Sequence, residues 1–199
     1  APLDMRTAIV GKTHMQPNLE AMARLGIEAS SGIGIHLSEC GFEPYERDDG
    51  LHPSQHPATA DLAYNKYLAD KGYENDNPWH EWANSAQGED GNILSGWLLA
   101  HADKPARATE EDSETPYMTR RAMQFINEAE AKGQRWCCHL SFIKPHWPYI
   151  VPAPYHDMYG SQHVMPVVRH PDERQNPHPV YGAFMDQRAS KVFSRDGVR

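Results

Sequence analysis

The sequence predicts an α/β fold built on a mostly parallel central sheet, of which the chain holds only part. Three stretches carry that expectation. "RTAIV", Arg6–Val10, is rich in Thr, Ile and Val, which suit a pleated buried surface, and Gly11 ends it. Residues 115–133 read as a helix, with Thr115 at the N-cap and Pro116 at the first helical position. Met118, Ala122, Phe125, Ile126 and Ala129 recur at helical spacing, and Gly133 closes the segment. "RWCCHLSFI" follows as a nearly unbroken apolar run, the pattern of a strand covered on both faces. Helix then buried strand is one half of an α/β repeat.

Between these anchors the pattern is weaker. Residues 15–57 are crowded with Gly, Pro, Ser and Asp and predict a long excursion, preceded by one short helix over Leu19–Leu25. Ala58–Lys71 predicts a helix stopped by Gly72, with Leu62, Tyr64, Tyr67 and Leu68 on its apolar side. Residues 73–109 are irregular, with Trp79, Trp82 and Trp97 available for burial. After Ile150 the chain reads as loop, with no convincing element.

Bulk properties narrow the function classes. A net charge of −8 with scattered basic residues argues against nucleic acid as the main partner. No apolar run approaches the ~20 residues that span a bilayer, and no secretory signal opens the chain. Cys40, Cys137 and Cys138 cannot build a disulfide framework, so a reducing compartment, the cytoplasm, is the default expectation. The sequence leaves a homo-oligomer open. Many of the twelve histidines stand beside proline, where an extended surface loop is the plainer reading.

Two strand ends attract chemistry. Arg6–Val10 runs into Gly11-Lys12-Thr13-His14, and the apolar run at 136–143 runs into Lys144-Pro145-His146. In open parallel sheets, ligands sit outside the carboxyl ends of strands. Two lysines and two histidines gathered there would hold an anion and serve phosphoryl or sulfuryl transfer, where charge develops on oxygen. A single Lys-x-His is a weak motif and is more often a solvated loop; two at equivalent strand ends balance the readings. His139, inside the apolar run, reads as a hydrogen-bonded core residue. "ERDD" at Glu46–Asp49 reads as a solvated charge run.

At these residues the chain resembles the sulfatases. "RTAIVGKTH" resembles the family's strand leading into Gly-Lys-x-His, and "ECGFEPY" its following Gly-Phe-Asp/Glu stretch. "SETPYMTRRAMQFINEAEAKGQRWCCHLSFIKPHWPYIVPAPYHDMY" is similar to its helix, strand and Pro-His-x-Pro segment. The arylsulfatase and phosphonate monoester hydrolase branch of the alkaline phosphatase superfamily looks closest. The resemblance implies a three-layer α/β/α, alkaline-phosphatase-like fold with an incomplete sheet. It implies that Lys12, His14 and His146 contact the transferred group, with Lys12 and His14 assisting the leaving group. Lys144 is carried over as a neighbour in the substrate site, and Trp147, like Trp79, as a pocket wall for which ordinary packing is the plainer reading.

The family's formylglycine arises from Cys-x-Pro-x-Arg, which none of the three cysteines matches, and its metal-binding aspartates have no counterpart here. Residues 1–199 are therefore expected to be the middle portion of a single sulfatase-type catalytic domain. Nucleophile and divalent metal, calcium or manganese, are expected on segments outside this chain, which names no metal ligand of its own. The expected activity of the whole is hydrolysis of sulfate esters, alternatively of phosphonate monoesters or phosphodiesters, on a small-molecule substrate. The 199 residues alone are expected to be inactive. Another class of reading is a noncatalytic, truncated binding or vestigial protein. A zinc-binding module lacks any recurring thiolate–imidazole spacing.

Overall fold

Residues 4–15, 17–50, 62–166, 168 and 170–187 are described by the structure, a computed structural model. They group into two compact units, one formed by Ala1–Trp79 with Glu111–Pro145, the other by His80–Glu110 with His146–Arg199.

The first unit holds the expected parallel sheet. Strand β1 (Met5–Gly11) lies between β2 (Glu43–Arg47) and β5 (Arg135–Ser141), and both pairings are parallel. Ala8, Ile9 and Val10 are fully buried, which is what their small and β-branched side chains are suited for. Helix α4 (Glu114–Ala131) covers the sheet with Tyr117, Met118, Ala122, Phe125 and Ala129, an apolar stripe at three- and four-residue steps. Its N-cap is Ser113 rather than Thr115, so Pro116 enters at the third helical position, still inside the turn whose N–H groups lack intrahelical partners. Gly133 stops the helix with φ +61.

Several expectations are corrected here. Strand β5 is not covered on both faces: Arg135, Cys137 and His139 are exposed while Trp136 and Cys138 are half-buried. It is an edge of the three-stranded sheet, with α4 on one side. His139 is consequently an exposed residue in ring contact with Phe42 at 5.9 Å, not a core histidine. The long excursion contains α1 (Leu19–Arg24) as expected, but also α2 (Gly32–Ser38) and β2. Ser31 caps α2 by accepting from the Gly34 N–H. The next helix, α3 (Ala63–Asp70), is shorter than expected; the start of its predicted span, Ala58–Asp61, lies outside the described residues.

The second unit carries the hairpin β3 (Ser85–Gln87) and β4 (Ile93–Ser95), antiparallel to one another. Ala86, Ala106, Ile150 and Leu94 pack together beneath it. The expectation of loop after Ile150 also fails, since α5 (Pro179–Asp186) forms there with Pro179 in its first turn and the His178 ring accepting from the Val180 N–H.

Gly11 fixes how β1 leaves the sheet. Its φ is +96, and a Cβ there would stand 1.8 Å from the Ser141 carbonyl oxygen. Gly11→Ala should therefore destabilise the protein by about 2 kcal/mol or more, read as a lowered urea midpoint. Gly26→Ala, at φ +68 with nothing within 4 Å of the added carbon, should cost only about 1 kcal/mol.

Candidate functional site at the carboxyl edge of the sheet

Because the three strands are parallel, their carboxyl ends emerge side by side, and backbone hydrogen bonds lace them together. The Lys12 N–H donates to the Ser141 carbonyl at 3.1 Å, joining the end of β1 to that of β5. The Asp48 N–H donates to the Gly11 carbonyl at 3.2 Å, joining β2 to β1. The Thr13 N–H reaches the Asp49 carboxylate at 2.8 Å. Lys12, Asp48 and Lys144 thus leave three neighbouring strands on the same edge.

Beneath them lies a buried acidic pair, Asp48 and Glu114, that the sequence reading did not anticipate. Asp48, read as part of a solvated run, is 1 % exposed, and Glu114 at the start of α4 is 5 % exposed. Glu46 is buried too, accepting from Tyr117 at 3.1 Å and from Arg121 at 2.8 Å. Burial alternates along this stretch, with Glu46 and Asp48 facing in, Arg47 half-buried and Asp49 exposed, the period of an extended chain, but four consecutive charged residues carry no such alternation in the sequence. Burial pushes the Asp48 carboxyl well above the usual carboxylate range, and the nearby Glu114 adds to the shift. Burial also raises Glu114, opposed first by the charge of Lys144, then by hydrogen bonds from Asp48 and Trp79, then by Lys12.

Lys12 and Lys144 are therefore brought into reach of one buried carboxylate in the first unit. Lys144 is part-buried, and desolvation lowers its pKa to about 8 against the raising effect of Glu114. Lys12 is half-buried and His14 exposed. The Thr13 hydroxyl between them is buried with no hydrogen-bond partner among the described residues. Trp79 is core: it lies 3.2 Å from where a Cβ on Gly50 would stand, and its indole N–H points at Glu114.

His146 and Trp147 belong to the second unit. His146 is exposed, its ring 4.3 Å from that of Trp147. Its Nδ1 lies 2.8 Å from the Trp147 carbonyl, which can only accept, so Nδ1 carries a proton and Nε2 is left for a ligand. Trp147 is at the margin of exposure, edge-on to Tyr149.

Among the described residues no group of three His, Cys, Asp or Glu side chains is placed to hold a metal ion. Cys40 and Cys137 are exposed, and burial raises the Cys138 pKa. No helix of the described residues is long and apolar enough to cross a membrane.

The small parallel sheet with helices packed on it is an alkaline-phosphatase-like fold, and the relatives found for this chain are alkaline phosphatase superfamily proteins. No family model matches the chain. A segment of 86 residues is 31% identical to the multifunctional alkaline phosphatase superfamily protein PehA of Trinickia caryophylli, covering 42% of this chain and 16% of that protein. Among solved structures, a phosphonate monoester hydrolase from Silicibacter pomeroyi shares the fold with a TM-score of 0.59 at 22% identity, over 89% of this chain and 31% of that one. The chain spans less than a third of the length of either.

The pKa of Lys144 is directly measurable. In the full-length protein with 13Cε-labelled lysine, one resonance, assigned by its loss in Lys144→Arg, should titrate near pH 8, about two units below a solvated lysine.

Proposed function

We propose that this chain forms part of the anion pocket of an ester hydrolase of the alkaline phosphatase superfamily. One observation carries the reading: Lys12 and Lys144 follow adjacent parallel strands, joined where the Lys12 N–H meets the Ser141 carbonyl at 3.1 Å, at the edge where such sheets take ligands. Two ammonium groups can neutralise the non-bridging oxygens of a phosphoryl, phosphonyl or sulfuryl group. His14 and His146 are the further candidates for contact with the transferred group, and Trp147 for its organic part. His146 offers Nε2, which suits a hydrogen bond to a substrate oxygen or proton delivery to a leaving oxygen.

For the substrate, the name of the structural neighbour favours a phosphonate monoester, with a phosphodiester as the alternative the sequence expectation pairs with it. Sulfate ester hydrolysis, the first expectation from sequence, is the second reading, because Lys-x-His serves all three groups alike. The divalent metal and the formylglycine implied by the resemblance to sulfatases are assigned to segments outside this chain. A noncatalytic binding role is the alternative of another class, separated by the same assay.

The full-length protein should hydrolyse an aryl phosphonate monoester or phosphodiester, tested beside an aryl sulfate. Lys12→Ala and His146→Ala should each lower kcat/KM by about 10²-fold. The exposed His139→Ala should leave turnover unchanged. Absence of turnover on all three substrates, with the protein folded, would favour the binding role; equal losses in all three variants would remove the site assignment. Binding of inorganic phosphate by the Lys144 ammonium should also weaken as pH rises through about 8, since that charge is present below this pH and lost above it.

A further inference from the structure

The buried acids beneath the lysines have a hydrogen-bonding deficit that one proton would remove. Asp48 Oδ1 accepts from the Gly50 N–H at 2.9 Å, but Oδ2 is buried with no donor among the described residues. Glu114 Oε1 receives the Trp79 indole N–H at the outer limit of 3.5 Å, and its Oε2 is likewise buried without a donor. The two carboxyl groups lie within hydrogen-bonding reach of one another. Two ionised carboxylates side by side in a desolvated site repel, whereas one proton held between them gives each orphaned oxygen a partner.

We propose that Asp48 and Glu114 share a single proton and act as one buried monoanion that positions the Lys144 ammonium at the carboxyl edge of the sheet.

The charged and titratable groups around the pair fit this arrangement. Lys144, following β5, and Lys12, following β1, supply positive charge to Glu114. Asp49, following β2, adds negative charge to Asp48 and so favours the proton there. Burial raises Tyr64 on α3 and Tyr117 on α4 above ordinary phenols; the acidic pair adds to the shift of Tyr64, whereas Glu46 is the main acid acting on Tyr117. The positive charges of Lys144 and Lys12 favour the ionised form of Glu114, and Asp49 disfavours it at Asp48, so the proton resides on Asp48 and the charge on Glu114. Glu114 is then a positioning residue. It acts through Lys144, keeping an ammonium that desolvation would discharge in its cationic form near neutral pH. The functional consequence rests on the reading of Lys144 as part of the anion pocket, but the proton sharing does not.

The test uses two isosteric variants in the full-length protein, with the Lys144 resonance and the carboxyl infrared band as readouts. Wild type should show a protonated-carboxyl band at pH 7 that disappears in both Asp48→Asn and Glu114→Gln. Asp48→Asn keeps the negative charge on Glu114 and should leave the Lys144 titration where it is. Glu114→Gln moves the charge away and should lower the Lys144 pKa by about one pH unit. The alkaline limb of any activity profile should follow. Should Glu114→Gln fail to fold, Lys144→Met supplies the reciprocal measurement: loss of the cation should raise the carboxyl titration. Absence of the band in wild type, equal displacement of Lys144 in both variants, or a carboxyl titration unmoved by Lys144→Met would overturn the proposal. Each readout is independent of turnover, so an inactive protein that titrates as described would sink the hydrolase reading and leave the proton pair standing.

Discussion

The tight approach of Gly11 to the Ser141 carbonyl, which leaves no room for a side chain, governs the edge of the sheet. A side chain at that position would push β1 and β5 apart where they end. With glycine there, the Lys12 N–H can close onto Ser141 and the Gly11 carbonyl is free to receive the Asp48 N–H. Three strand ends are thereby fixed to one another by main-chain bonds, whatever their side chains do. The lysines and acids then inherit their positions from the backbone, which is a stiffer scaffold than a loop.

The same unit separates two kinds of electrostatics by burial. On the α4 side of the sheet, Arg6 reaches Glu43 at 2.6 Å and lies over the Phe125 ring at 4.8 Å, a part-exposed arrangement. Such pairs contribute about 0–1 kcal/mol. Glu46, nearly inaccessible and held by Tyr117 and Arg121, is a different case, because removal of a partner would strand a buried charge at a cost of about 3–5 kcal/mol. Asp48 and Glu114 go further, since neither is matched by a guanidinium and both are driven toward the neutral form. Moving from Glu43 through Glu46 to Asp48 along β2 and just beyond it, each acid is less exposed than the last.

What the sequence made legible was local. The apolar run of β1 and the spaced residues of α4 announce themselves because one face or both faces of a single element are buried. Residues Leu19–Arg24 were also readable, as a short helix. Strand β2 was not, since "EPYER" is polar, contains Pro44, and becomes interior only through Tyr117 and Arg121, more than seventy residues away. Helix α2 escaped for the opposite reason: Ile33, Ile35 and Leu37 remain exposed, so no buried face marks it. The two Lys-x-His segments were visible as a pattern, and the parallel pairing of β1 with β5 accounts for the nearness of Lys12 to Lys144. The acidic pair was invisible because an Asp after a strand and a Glu opening a helix each look like ordinary surface residues until the fold buries them.

The pairing of β1 with β5 also has a temporal side. Met5 stands opposite Arg135, and Gly11 opposite Ser141, so the two strands are about 130 residues apart along the chain. During synthesis at roughly 5–20 residues per second, β1 emerges on the order of ten seconds before its neighbour exists. Strand β2 can cover one flank early; the other, with Ile9 and Val10 beside it, waits bare in the cell. A nascent chain of this design has a window in which its central strand offers an open hydrogen-bonding edge to any other strand nearby. Its yield in the cell is therefore set in part by how well chaperones shield that strand until Arg135–Ser141 arrives.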